Sequence, residues 1–173
     1  MYQYSPFREN YKPEEEGDDC KFCDISLMEE QSLFDGEGTP IENEHYRWVY
    51  NKYPKFDGHT MLVPKRHFAE FDEETDEEIV ARHKLLIVAS DALRKAFPGA
   101  GIEVFLQIGA KSARSIRHIH WHVVPADPSD PLRSFEKLGH FYTTKPDEEK
   151  VVLFPVPVKL ACEGLQKVIA EAL

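Results

Sequence analysis

Residues 117–126 read RHIHWHVVPA. Three of the chain's 8 histidines, His118, His120 and His122, fall on alternate positions, with Ile119, Trp121 and Val123 between them. Successive side chains of a β-strand point to opposite faces. A strand over 116–125 therefore has one apolar face for the core and one face of three imidazoles. The apolar face explains itself. Three imidazoles side by side, half-charged near neutral pH, need partners or a ligand. From the spacing alone three uses stay open. One is a structural polar face, solvated or hydrogen-bonded. The second is a metal site, since alternate histidines can converge on zinc. The third is nucleophilic or acid–base catalysis by one imidazole positioned by the others.

Just upstream, QIGAKSARSIRH places Lys111, Ser112, Arg114, Ser115 and Arg117 before the histidines. Backbone N–H groups of a small-residue loop, with hydroxyls and cations, suit a phosphate. GAKS by itself lacks the GxxxxGK[ST] spacing of a P-loop. GIEVFLQIG (101–109) reads as the preceding strand, with Val104, Leu106 and Ile108 on one face. Before it, 73–97 reads as the longest helix. Thr75 and Glu78 have capping-box spacing, Ile79, Leu86, Ala89, Leu93 and Phe97 recur at helical intervals, and Pro98 and Gly99 stop it. YRWVY (46–50) and HTMLVP (59–64) flank a turn marked by Pro54, Asp57 and Gly58, as in an antiparallel hairpin. VVLFPVPV near residue 155 carries two prolines and suits an edge strand or an extended segment. A terminal helix over 157–173 has Val158, Ala161, Leu165, Val168, Ile169 and Ala172 near helical spacing, with Gly164 weakening it. Strands, then a helix, then strands define an α+β class with an antiparallel sheet of about five strands, one long helix and a C-terminal helix.

The chain has 173 residues, 42% of them apolar, which suits one domain with a substantial core. We divide it into a flexible N-terminal arm, 1–18, and one domain, 19–173, with a divergent extension from about 126. The arm is polar and acidic and lacks an apolar signal segment, so a cytoplasmic location is expected. Nowhere is an apolar run long enough to span a bilayer. The net charge of −10 argues against an extended nucleic-acid partner but leaves room for a small anion in a local cluster. The acidic runs at 14–19 and 72–78 are read as solvated faces. Of 3 cysteines, Cys20 and Cys23 form a CxxC, while Cys162 is expected to serve as a small apolar residue in a helix. This is not a secreted disulfide scaffold.

Taken together, these residues resemble the histidine triad (HIT) superfamily of nucleotide hydrolases and transferases. HIHWHVV matches its His-φ-His-φ-His-φ-φ pattern, with φ apolar, at every position. Gln107 and Ser115 fall where the family has an amide and a hydroxyl. NKYPKFDGHTMLVPKRH is similar to the family's earlier hairpin, with Asn51 and His59 at the expected places, and CKFCDI resembles its CxFCxI opening. The likeness covers roughly residues 20–125 and implies a HIT-like fold.

The resemblance implies the following roles. His120 is the nucleophile, attacking the α-phosphorus of a nucleotide conjugate to give a covalent nucleotidyl-histidine. The conjugate is a dinucleoside polyphosphate or a nucleoside phosphoramidate. His122 and Gln107 contact the α-phosphate, Ser115 serves the leaving group or phosphate, Asn51 holds the ribose, and His59 supports the nucleophile. The chemistry itself needs no metal. Cys20, Cys23, His67 and His118 make a closed structural zinc site tying the arm to the sheet. A homodimer through the long helix and a sheet edge is also implied. Two departures stand out: Ala113 replaces a frequent glycine, and Ala126 follows Pro125 where the family often has arginine. CxxC and the Asn-Lys-Tyr-Pro loop lean toward dinucleoside polyphosphate phosphorylases and uridylyltransferases, whereas His122 leans toward hydrolases. A non-catalytic nucleotide-binding module stapled by zinc is the remaining alternative.

Overall fold

The computed structural model describes residues 20–54, 57–109, 114, 116–126 and 158–173, the side chains of the last segment from 162 onward. The N-terminal arm, Ser115, the proline-rich segment near 155 and most of the extension after 126 lie outside the described residues.

The elements follow in the order α1 (Ile25–Gln31), β1 (Tyr46–Tyr50), β2 (Thr60–Pro64), α2 (Asp76–Ala96), β3 (Gly101–Leu106), β4 (Trp121–Ala126) and α3 (Val158–Ala172). The four strands form one sheet in the order β1-β2-β4-β3, and every pairing is antiparallel. The expected hairpin is β1 with β2. The turn between them needs Gly58, whose φ is +69° and whose added Cβ would lie 2.6 Å from the Pro125 ring and 2.8 Å from Phe97.

Both faces of the sheet are covered, which is why all five residues of β2 are buried. On one face, Tyr46, Trp48, Leu62, Trp121 and Val123 join Leu85, Ala89, Ala92 and Leu93 of α2 and Ile169 of α3. On the other, Val49, Met61 and Val63 meet Phe22 and Met28 from the CxxC loop and α1. The histidines sit on this second face. Ile119, Trp121 and Val123 belong to the α2 side, as the alternation predicts.

Some element boundaries differ from the sequence reading, and one helix is additional to it. The histidine strand starts at Trp121, not at residue 116, and runs to Ala126. His118, Ile119 and His120 precede it because their bonds go elsewhere: the Ile119 N–H donates to the Phe68 carbonyl at 2.8 Å. Helix α2 starts at Asp76, and its capping box is formed by Thr75 and Glu78 as predicted. Its buried stripe is Leu85, Ala89, Ala92 and Leu93, while Ile79 is 40% exposed. Helix α1 was not anticipated: Asp24 caps it, its carboxylate accepting from the Ser26 and Leu27 N–H groups.

Helix α3 is pinned to the body by two side chains. Gln166 exchanges hydrogen bonds with both backbone groups of Phe34, at 3.2 and 3.0 Å. Lys95 of α2 donates to the Ala172 carbonyl at 3.0 Å. Cys162 is buried in α3, as its small apolar reading predicts, and burial pushes its thiol up to about 11. Among the described residues, no helix is long and apolar enough to cross a membrane.

Candidate active site and metal centre

His118, His120 and His122 are all buried, at 0, 7 and 4% exposure. Their surroundings separate them. His118 points its Nε2 at the Pro64 carbonyl, 2.9 Å away. A carbonyl can only accept, so Nε2 carries the proton and Nδ1 bears the lone pair. That Nδ1 lies 3.5 Å from Cys20 Sγ and 3.5 Å from Cys23 Sγ. Cys23 Sγ is also 3.3 Å from His67 Nδ1. The four donor atoms all lie within 4.8 Å of one another. Burial, together with nearby His67, holds the His118 imidazole down to about 4, which keeps it neutral at pH 7.

This Cys2His2 set could hold a metal ion. Two sulfurs and two imidazole nitrogens, with no carboxylate among them, are the donors of a closed tetrahedral zinc site. The Pro64 carbonyl supplies the outer hydrogen bond that fixes the ligand tautomer of His118. The set gathers residues as far as 98 positions apart in sequence.

His120 is held differently. Its Nδ1 lies 2.9 Å from the backbone carbonyl of His118, so Nδ1–H donates and Nε2 carries the lone pair of the neutral ring. The ring meets His122 edge-to-face at 4.9 Å between centroids and Phe22 edge-to-face at 4.9 Å.

His122 belongs to a third arrangement. On β4 it is cross-strand from Met61 of β2 and from Phe105 of β3. Directly opposed residues of a ladder are close enough to pack. Phe105 accordingly lies flat on the His122 ring, at 4.6 Å and an interplanar angle of 18°. His122 Nδ1 is 2.8 Å from His59 Nε2, and Asn51 Nδ2 is 3.3 Å from the same His59 nitrogen. Asn51 Oδ1 accepts from the Tyr53 N–H at 2.9 Å. The two residues meet because they close the hairpin: the Asn51 N–H donates to the His59 carbonyl at 2.9 Å.

The structure thus brings Asn51, His59, His120 and His122 into one cluster and Cys20, Cys23, His67 and His118 into its neighbour. Gln107 lies half-buried one residue past the end of β3, two positions after Phe105. Ser115 lies outside the described residues. Arg114, one of the cations of the expected anion loop, is committed elsewhere: it donates to the Ala69 carbonyl at 3.0 Å and to Glu70 at 3.2 Å. Arg117 is exposed. The sequence reading did not single out Phe22 or Phe105. Phe22 sits between the two cysteines and Phe105 one residue short of the strand's end, and both are plain apolar residues of elements read for other reasons.

An antiparallel sheet backed by a long helix, with three alternate histidines at the head of an inner strand, is the arrangement of the histidine triad proteins. A profile of the HIT domain matches residues 39–129, more than half of the chain, and the chain belongs to the HIT family. It is 32% identical over 106 residues to an uncharacterized 16.1 kDa HIT-like protein of Mycoplasma pneumoniae, covering 61% of this chain and 70% of that one. It is 26% identical over 131 residues to the adenylylsulfatase HINT3 of Arabidopsis thaliana, covering 76% and 64%. Among solved structures, a hypothetical histidine triad nucleotide-binding protein of Sulfolobus tokodaii superposes with a TM-score of 0.61 at 27% identity, covering 88% and 91%. A zinc-bound histidine triad family protein of Mycobacterium smegmatis shares the fold with a TM-score of 0.56 at 22% identity, covering 88% and 94%. The family is one of nucleotide hydrolases and transferases.

Proposed function

We propose that the protein is a nucleotidyl hydrolase or transferase working through a covalent nucleotidyl-histidine on His120. The observation that carries the reading is the hydrogen bond from His120 Nδ1 to the His118 carbonyl. It holds the proton on the far nitrogen and leaves a lone pair on Nε2, the requirement for a neutral imidazole nucleophile.

In the proposed reaction Nε2 attacks the α-phosphorus of a dinucleoside polyphosphate or nucleoside phosphoramidate. The N–P bond forms as the bond to the leaving group breaks. The leaving group departs with the bonding pair, helped by the Ser115 hydroxyl. Water then attacks the phosphorus and gives up a proton to solvent, the P–N bond breaks with its electron pair returning to Nε2, and the nucleoside monophosphate departs. His122 and Gln107 hold the α-phosphate oxygens, which gain negative charge in both steps. Asn51 and His59 fix His122 from behind, and we assign Asn51 to the ribose hydroxyls. A different acceptor in the second step, such as inorganic phosphate or a sugar phosphate, makes the same site a phosphorylase or transferase.

Zinc is the metal we assign to Cys20, Cys23, His67 and His118. Four protein donors leave no open position, so the ion would staple the CxxC loop to the sheet rather than act on substrate. We also assign a homodimer, formed through α2 and the β3 edge.

The test is a panel of dinucleoside polyphosphates, nucleotidyl sugars and phosphoramidates, scored for release of nucleoside monophosphate and for an alkali-stable, acid-labile label on the protein. Wild type should release the monophosphate. His120→Ala should still bind nucleotide and turn over at least a thousandfold more slowly, on the scale of losing a covalent nucleophile. Full activity in His120→Ala would reject the reading. Tight nucleotide binding with no turnover across the panel would mark a binding module instead.

A further inference from the structure

Phe22 is the residue just before Cys23, and its ring contacts two histidines at once. It meets His118 edge-to-face at 5.9 Å and His120 edge-to-face at 4.9 Å. It is 6% exposed and packed with Met28, Val49, Met61, Val63 and Ile116. The metal candidate and the proposed nucleophile are therefore joined twice. One link is the His118 backbone, whose side chain faces the sulfurs while its carbonyl accepts from His120 Nδ1. The other is Phe22, carried on the loop that Cys20 and Cys23 anchor. The loop is closed on itself by the Cys23 N–H donating to the Cys20 carbonyl at 3.0 Å.

We propose that Phe22 is a positioning residue for His120, and that a metal ion on the Cys2His2 set seats it. With both sulfurs tied to one ion, the tip of the CxxC loop has one place to be, and the Phe22 ring closes one side of the His120 ring. The His118 carbonyl then has a fixed acceptor direction, because its own imidazole is held at both nitrogens. Together these restrict His120 to the rotamer and tautomer that aim Nε2 outward. Without the ion the loop keeps its apolar seat but loses its tether, and the His120 ring gains freedom. The contribution to the reaction rests on the His120 reading above; the restraint on the ring does not.

The experiment is long-range proton–nitrogen NMR of the histidine rings, with His120 assigned by substitution, in zinc-loaded wild type, Phe22→Leu and Phe22→Met. Wild type should show a single Nδ1–H tautomer at His120. Both variants should show two exchanging tautomers, with zinc content and melting temperature close to wild type. Stripping zinc from wild type should give the same change, so a variant that fails to fold does not remove the test. An unchanged His120 signal in either folded variant, or in metal-free wild type, overturns the proposal. In parallel, the single-turnover rate of labelling by adenosine phosphoramidate should fall on the order of tenfold to a hundredfold in the variants, as for a nucleophile out of line. KM should stay within about twofold of wild type. If wild type is never labelled, or His120→Ala is, the catalytic reading fails while the ring signal still judges Phe22.

Discussion

His118 shows how much one residue can settle. Its two ring nitrogens and its backbone carbonyl face three different partners: the Pro64 carbonyl, the two sulfurs and His120. An imidazole kept neutral by burial, with its protonated nitrogen already satisfied, is a ligand waiting on a soft cation. Protein purified without chelator should therefore carry about one zinc per chain by elemental analysis. The double variant Cys20→Ser, Cys23→Ser should carry none and should melt at lower temperature. Zinc retained in that variant would remove the ion from this site. Much of this was legible in the sequence, but only through resemblance: spacing alone left the three histidines open among structure, metal and catalysis. What separates them is each ring's hydrogen-bond partner: for His118 and His122 it lies 54 to 98 residues away, and for His120 it is the carbonyl of His118. Phe105 on His122 was illegible for the same reason, since it follows from the β3–β4 register and not from either strand alone.

At the scale of an element, helix α2 is secured at its first turn. Glu78 receives the Thr75 N–H and pairs with Arg66 through two bonds, at 2.8 and 2.7 Å. The Arg66 hydrogen bonds hold the Glu78 carboxyl down at about 2. A depressed folded value stabilises the fold above the ordinary carboxylate range and ceases to do so as pH falls through it. Glu78→Ala should cost about 2 kcal/mol at pH 7, less than the full shift implies because Arg66 is half in water. The gap from wild type should narrow as pH falls from about 4.5 to about 2, followed by urea unfolding at each pH. A gap that stays constant over that range would assign the loss to the cap alone. The capping box was readable because Thr75 and Glu78 are local. The buried stripe was harder: Ile79 is as apolar as Leu85, and only the direction of the sheet decides which of them is covered. The early start assigned to the histidine strand has a similar cause. Alternation continues through His118 and His120, but the backbone there bonds to Phe68 instead of a ladder partner.

At the scale of the whole molecule, the sheet is a partition between two layers. Helices α2 and α3 cover one face, and the CxxC loop and α1 cover the other beside the candidate site. On the outer side of α2, Val80 and Ile87 stand two turns apart and are 53 and 51% exposed, opposite the buried stripe. Val104 on β3 is 43% exposed. A second copy of the chain packed on this outer side of α2 would cover Val80 and Ile87. Light scattering should give twice the chain mass for wild type. Val80→Glu with Ile87→Glu should shift it to the monomer mass, since buried like charges would face each other across a two-fold axis. A wild type that scatters as a monomer would rule out the pairing.

The two borders of that sheet are unlike. Along β1 the outer border is already taken: Ser32 bridges Val49, Glu42 bridges Arg47, and Leu33 and Ile41 exchange backbone hydrogen bonds with Trp48. Among the described residues β3 pairs with β4 alone. A sheet with two open borders could add copies without end, in the manner of a fibre. With the β1 border sealed by its own chain, growth of that kind is blocked on that side.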